Sequence, residues 1–336
     1  MRILISAGWL GGAGGAERAL YSILRALGGH DVDVVVRQRL GGPLAEIGDG
    51  VRLYPPTNPR WFASSLKYGV KGQLVQRLVN PVRRAVLPRY DVLLAFHSGP
   101  DLTRAVRASV KLLVPSGNHI SVERASGYDH VALQAPDNQQ LAASGVPTTL
   151  LPPPVFDLAV NSLAPAVDLP GEFCLTVFNP YDPIKGTDDL LTAVESTPRP
   201  IVWCHSQQTV GFDVPAVLRD HPRIIHVEDA SPAEMRYLYE RCLAYVCFSR
   251  SEGFGWSIAD ALRYSPVIVS RRIGVLSFGD ATRHGVLEVG RDWDFDWARI
   301  ADAKPEATRD LRWLSAAAFE QRLVELVVRG TEKNRD

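Results

Sequence analysis

The sequence predicts an α/β protein made of two doubly wound domains, each built on a parallel sheet. Three observations predict it. The 336 residues are more than one hydrophobic core usually serves, which favours two domains. Short unbroken apolar runs of strand length recur through both halves, with helix-spaced segments between them, the pattern of parallel strands covered on both faces. The triple proline Pro152-Pro153-Pro154 parts the two sets, because proline continues neither a helix nor a central strand. The boundary is therefore set near residue 155, giving domains over 1–155 and 156–310 and a last helix over 311–330.

In the first domain the runs at 2–7, 31–36, 91–96 and 110–115 read as strands. The first opens with Ile3-Leu4-Ile5 directly after Met1-Arg2 and reaches Gly8 too soon to be the core of a secretion signal. It leads into Gly11-Gly12-Ala13-Gly14-Gly15-Ala16-Glu17 and a helix. From Gly50 to Tyr90 there is no acid, while Arg52, Arg60, Lys67, Lys71, Arg77, Arg83, Arg84 and Arg89 supply eight positive charges. Trp61, Leu66, Val70, Leu74, Leu78, Val82 and Val86 recur every four or five residues through this stretch, which predicts a basic amphipathic helix or helix pair interrupted by Pro81.

In the second domain the runs at 172–178, 199–204, 223–227, 243–248 and 266–270 repeat the strand pattern. The first is followed by a loop ending in Lys185-Gly186 and a helix from about Thr187; the fourth is followed by Ser249 to Gly255 and a helix from about Trp256. Asp292-Trp293-Asp294-Phe295-Asp296 imitates an alternating-carboxylate metal motif, but it precedes Trp297-Ala298-Arg299-Ile300 and reads as a helix start. No metal and no cofactor are expected. The final helix, roughly 309–329, spaces Leu311, Leu314, Ala318, Leu323, Leu326 and Val327 by about three and four, so it suits capping either domain.

Composition excludes several classes. With 46% hydrophobic and 22% charged residues the chain is neither disordered nor, lacking an apolar run of about 18 residues, spanning a membrane as a helix. The 37 basic and 37 acidic residues cancel, so no nucleic-acid partner is expected. Cys174, Cys204, Cys242 and Cys247 form no CxxC pair and read as core thiols in a reducing compartment, so a cytoplasmic protein is expected.

Three loops carry candidate chemistry. The glycine loop around Gly12, Gly14 and Gly15 offers backbone N–H groups at a helix N-terminus, a setting that favours an anion. It falls short of a dinucleotide fingerprint: Glu17 stands at the third glycine position, and Arg37 and Arg39 stand where an acid would meet a ribose. A dehydrogenase is a poor fit, leaving an NADP-dependent oxidoreductase as a secondary alternative. Lys185 before a helix N-terminus is placed to neutralise a phosphate. Glu252 in a glycine loop and Asp260 eight residues on, both facing the crevice at the strand ends, suit hydrogen bonds to sugar or ribose hydroxyls.

The Glu252 to Asp260 stretch resembles the E-x7-E signature of retaining GT-B glycosyltransferases of family 4, with aspartate for the second glutamate. Gly14-Gly15-Ala16-Glu17 resembles that family's GGxE loop, and Lys185-Gly186 the end of its GR-x-x-x-x-KG motif. The resemblance implies a GT-B fold, two Rossmann-like domains facing a cleft, and metal-independent sugar transfer from a nucleoside diphosphate donor to a carbohydrate or lipid-linked acceptor. It implies that Glu252 holds donor-sugar hydroxyls, Asp260 the ribose, Lys185 the diphosphate, and Gly253, Phe254 and Gly255 the sugar or phosphate. Gly12, Gly14 and Gly15 would approach the donor from the first domain. The family's histidine near the reacting carbon is expected near Ser116; His119 and His97 are the candidates, His119 for catalysis and both for acceptor binding. Asn179-Pro180 stands where the family has Gly-Arg, removing one phosphate cation. That departure and Asp260 keep open a catalytically degenerate, nucleotide-sugar-binding subunit. Residues 60–90 read as a docking face for an anionic membrane or a phosphorylated acceptor, or as the solvated face of a core helix.

Overall fold

The computed structural model describes residues 1–10, 14–39, 51–53, 84–85, 87–115, 125–138, 145–159, 161–180, 183–206, 214–282, 285–290, 292–293, 300 and 311–333. They form two compact units, Met1–Val155 with Arg312–Asp336, and Phe156–Leu311. Most of the basic stretch, together with Gly12, His119, Asp294 and Asp296, lies outside the described residues.

Unit 1 holds a seven-stranded parallel sheet. Its strands are β1 (Arg2–Leu10), β2 (Asp31–Arg39), β3 (Val51–Leu53), β4 (Arg89–Phe96), β5 (Arg107–Val114), β6 (His130–Leu133) and β7 (Thr148–Leu150). The spatial order β3-β2-β1-β4-β5-β6-β7 puts β1 between β2 and β4, with Ile3 beside Val32 on one side and Val92 on the other. Ile3, Leu4 and Ile5 have no exposed surface, as a strand covered on both faces requires. Helix α1 (Gly15–Ala26) turns Ala19, Leu20, Ile23 and Leu24 inward.

Unit 2 repeats the plan with β8 (Cys174–Val177), β9 (Ile201–His205), β10 (Ile224–Glu228), β11 (Ala244–Cys247), β12 (Val267–Val269) and β13 (Val286–Glu288), ordered β10-β9-β8-β11-β12-β13. Helices α2 (Thr187–Ser196), α3 (Ala216–Arg219), α4 (Pro232–Arg241) and α5 (Trp256–Tyr264) lie between the strands in sequence. Leu190 of α2 packs with Trp203, Val246 and Ile268 of the sheet. The four cysteines are buried here as free thiols, and burial pushes the thiols of Cys242 and Cys247 up to about 12.

The four strands that the apolar runs do not reveal, β3, β6, β7 and β13, are three or four residues long, and three of them are sheet edges. An edge strand covers less core and needs no unbroken apolar run. The last helix, α6 (Ala316–Lys333), belongs to unit 1, where it packs on β5 and α1. His30 Nε2 reaches Glu320 at 2.8 Å and ties the turn after α1 to it.

One acid interrupts the core of unit 1. Asp33 is buried, accepting from Tyr90 Oη at 2.8 Å and Arg52 Nε at 2.9 Å. Arg52 also bonds Asp31, so this member of the basic stretch is neutralised by its own sheet. Asp33→Ala strands a buried phenol and a guanidinium, and is expected to cost roughly 1–3 kcal/mol in chemical denaturation, with Asp33→Asn costing less.

Candidate functional site

In a doubly wound sheet a ligand crevice opens at the carboxyl ends of the strands, where the strand order reverses. The reversal in unit 2 falls between β8 and β11. The loops that leave these two strands are the Lys185 loop and the Glu252 loop, so topology alone brings together two residues 67 positions apart. Lys185 Nζ donates to Glu252 Oε1 at 2.7 Å, with the two side chains 26% and 12% exposed.

Backbone contacts fix both loops. Gly186, at φ +81° and at the N-terminus of α2, faces Phe248: a Cβ there would lie 2.3 Å from the Phe248 carbonyl oxygen. Only glycine fits that approach and that left-handed conformation. Arg250 N–H donates to the Ile184 carbonyl at 2.7 Å, and the Arg250 guanidinium reaches Asp189 of α2 through Nε at 3.2 Å and Nη2 at 3.1 Å. The Glu252 loop is braced from its other side, where Val275 N–H donates to the Phe254 carbonyl at 2.7 Å. A Cβ on Gly274 (φ +55°) would strike that carbonyl oxygen at 2.5 Å.

Both loops run straight into helices. Gly186 and Gly255 are the N-terminal flanking residues of α2 and α5, each in the left-handed region and neither contributing a side-chain cap. The first N–H groups of each helix therefore have no capping side chain at that residue, the condition under which helix N-termini take anions. Beneath α5, Tyr245 Oη donates to Ser257 Oγ at 2.8 Å and Tyr239 Oη to the Ser257 carbonyl at 3.0 Å, anchoring its first turn. Burial holds the Tyr245 phenol protonated well beyond its usual range.

Asp260, expected at the crevice beside Glu252, is far more buried than Glu252. It sits in α5 among Ile258, Ala259, Ala261 and Leu262, all fully buried, and is itself only 2% exposed. Next to β8 and β9 lies a second polar group: Asn179 Oδ1 accepts from Ser206 N–H at 2.8 Å, Ser206 Oγ donates to Asp229 at 2.6 Å, and His205 Nε2 lies 3.1 Å from His226 Nδ1. Asn179, read from sequence only as a missing glycine, thus fastens the end of β9. Burial, then His226, lowers the His205 pKa, partly offset by Glu228 and Asp229.

Of the alternating-aspartate run, Asp292 and Trp293 are described. Trp293 is fully buried against Phe248 with ring centroids 4.6 Å apart, and its indole N–H meets Asp189 at 3.4 Å. Among the described residues no group of three or more His, Cys, Asp or Glu could hold a metal ion.

In unit 1 the order reverses between β1 and β4. Gly8 and Gly99 allow the close approach there: a Cβ on Gly8 would lie 2.7 Å from Ser98 Oγ, and one on Gly99 2.6 Å from the Ser6 carbonyl oxygen. His97 stands at this point, its N–H bonded to the Val114 carbonyl at 2.9 Å, and Trp9 near the end of β1 is 40% exposed. Gly14 flanks α1, but the Glu17 carboxylate turns back so far that a Cβ on Gly14 would lie 2.3 Å from its Oε2. An acid of the chain itself occupies the place that the glycine pattern assigns to an anion. Burial raises its pKa.

No family model and no curated protein matches this sequence. Solved structures do. The lipopolysaccharide outer-core galactosyltransferase WaaB is 14% identical, with a TM-score of 0.63 over 98% of this chain and 99% of that one. The UDP-forming α,α-trehalose-phosphate synthase of Burkholderia xenovorans, solved with glucose-6-phosphate, is 11% identical with a TM-score of 0.63 over 97% and 100%. Anabaena HepE, solved with UDP and glucose, is 16% identical with a TM-score of 0.57 over 100% and 98%. The chain has the two-domain GT-B glycosyltransferase fold.

Two outcomes follow from this geometry. Gly186→Ala forces the loops after β8 and β11 apart and should lower the midpoint of thermal unfolding relative to wild type. Because the His205 pKa lies below the unfolded value of 6.5, the unfolded chain gains a proton first as pH falls. The stability from neutral His205 is present above pH 6.5 and decreases below it; melting curves of wild type and His205→Gln should converge as pH drops through that range.

Proposed function

We propose that this protein transfers a glycosyl group from a nucleoside diphosphate sugar to a carbohydrate acceptor, with retention of configuration and without a metal. The observation that carries this reading is the Lys185–Glu252 pair at 2.7 Å, set at the strand-order reversal of unit 2 between the N-termini of α2 and α5. An ammonium and two helix ends suit a diphosphate, and a carboxylate beside them suits hydroxyls. The solved neighbours with UDP and glucose, and with glucose-6-phosphate, support a nucleotide donor and a sugar acceptor.

In this reading the donor belongs to unit 2 and the acceptor to unit 1, near His97 and the exposed Trp9. His119 and Gly12 keep the roles that the resemblance implies. Negative charge grows on the leaving diphosphate as the glycosidic bond breaks. Lys185 and the helix N–H groups stabilise it from positions set before the reaction, so little reorganisation is needed. Glu252 orients the sugar through its hydroxyls. Arg250 remains engaged with Asp189 and does not replace the arginine that Asn179-Pro180 lacks. Asp260, 2% exposed in α5, either meets the ribose, as the resemblance implies, or fixes the first turns of α5.

Three variants test the assignment. Lys185→Ala should weaken nucleoside diphosphate binding roughly tenfold with the fold intact, since a charge-assisted hydrogen bond contributes about 1.5–3 kcal/mol before competition is counted. Glu252→Ala should reduce transfer more than tenfold without weakening the bare nucleotide, as expected for hydroxyl contacts made only to the sugar. Asp260→Asn should weaken donor and bare nucleotide alike if the residue meets the ribose, and neither if it only supports α5. Unchanged nucleotide affinity in Lys185→Ala would overturn the donor site.

A further inference from the structure

The Lys185–Glu252 ion pair has a consequence for how the site treats donor and spent nucleotide. Lys185 is assigned to the diphosphate, yet its ammonium bonds a carboxylate 2.7 Å away. We infer that Glu252 discriminates between the nucleotide sugar and the nucleoside diphosphate product by competing with the diphosphate for Lys185. This rests on the donor-site reading above.

The backbone on both sides of the pair is fixed. Gly186 abuts the Phe248 carbonyl, Arg250 N–H holds the Ile184 carbonyl at 2.7 Å, and Val275 N–H holds the Phe254 carbonyl at 2.7 Å. A change of partner at Lys185 is therefore a side-chain event, with the loops staying in place. Glu252 is only 12% exposed, so water poorly compensates a carboxylate whose ammonium has turned to a phosphate. A nucleotide sugar supplies the compensation, because its sugar hydroxyls donate to the carboxylate as Lys185 leaves it. A bare nucleoside diphosphate takes the ammonium and offers nothing in return. The same carboxylate thus favours the complete donor and, once the sugar has gone to the acceptor, returns to Lys185 and promotes release of the product. No bond is made or broken in this exchange; one ammonium changes partners.

The test uses isothermal titration of the full chain with UDP, GDP and inorganic pyrophosphate, comparing wild type with Glu252→Gln, which keeps the volume and removes the charge. Competition predicts that the diphosphate that binds wild type binds Glu252→Gln more tightly, on the order of threefold or more, as for release of a partly exposed ion pair. The gain should disappear in the Lys185→Ala background, since the competed-for ammonium is then absent. Equal or weaker binding to Glu252→Gln would overturn the exchange and leave the donor site standing. A gain that persists without Lys185 would also overturn it, showing plain repulsion between Glu252 and the phosphates. Absence of binding by all three ligands to either protein would overturn the donor-site reading and the exchange with it. Matching denaturation midpoints for wild type and Glu252→Gln establish that the comparison is made between folded proteins.

Discussion

Gly186 has no side chain because the Phe248 carbonyl stands where one would be. That contact, 2.3 Å from an imagined Cβ, sets the spacing between the loop after β8 and the loop after β11. The rest of the site depends on it. At this spacing Arg250 N–H reaches the Ile184 carbonyl, the Arg250 guanidinium reaches Asp189, and Lys185 reaches Glu252. A Cβ at residue 186 would separate the loops and loosen all three, since packed protein interiors yield poorly to added volume.

Two cations at the same crevice have different tasks, and their partners show why. Arg250 gives two N–H groups to Asp189, which also receives the Trp293 indole, so the planar guanidinium works as a fastener between α2 and β11. Lys185 is a flexible point charge paired with a carboxylate that a sugar can satisfy. A site built with arginine in the lysine position would hold its own acid in a fork and exchange partners less readily. The division between a fixed guanidinium and a mobile ammonium follows from side-chain chemistry as much as from position.

Much of the plan is legible in the sequence because it follows from local rules. Unbroken apolar runs mark the central strands, and Gly186 and Gly255 mark the helix starts at Thr187 and Trp256. What escapes is non-local. The Lys185–Glu252 pair joins residues 67 apart and is visible only once strand order is known. The partners of Asp33, Tyr90 and Arg52, are likewise far along the chain and are brought to it only by the sheet. The spacing of Asp260 to Glu252 along the chain does not reveal that it is almost wholly buried in α5. The edge strands β3, β7 and β13 have too few residues to show a period.

The two sheets meet one geometric demand in two ways, and the difference bears on where charge can be held. At both strand-order reversals a glycine lets neighbouring segments close in: Gly8 and Gly99 in unit 1, Gly186 in unit 2. In unit 1 the nearest helix end is already met by Glu17, so the chain has spent that positive potential on its own carboxylate. In unit 2 both helix ends are flanked by glycine with no side-chain cap; Asp189 in the first turn of α2 is engaged by Arg250, and Glu252 by Lys185. Under the proposed assignment this is why the diphosphate is given to unit 2. That asymmetry comes from three side chains, Glu17, Lys185 and Glu252, set on two copies of nearly the same sheet, and it is the physical ground for giving the donor to one unit and the acceptor to the other.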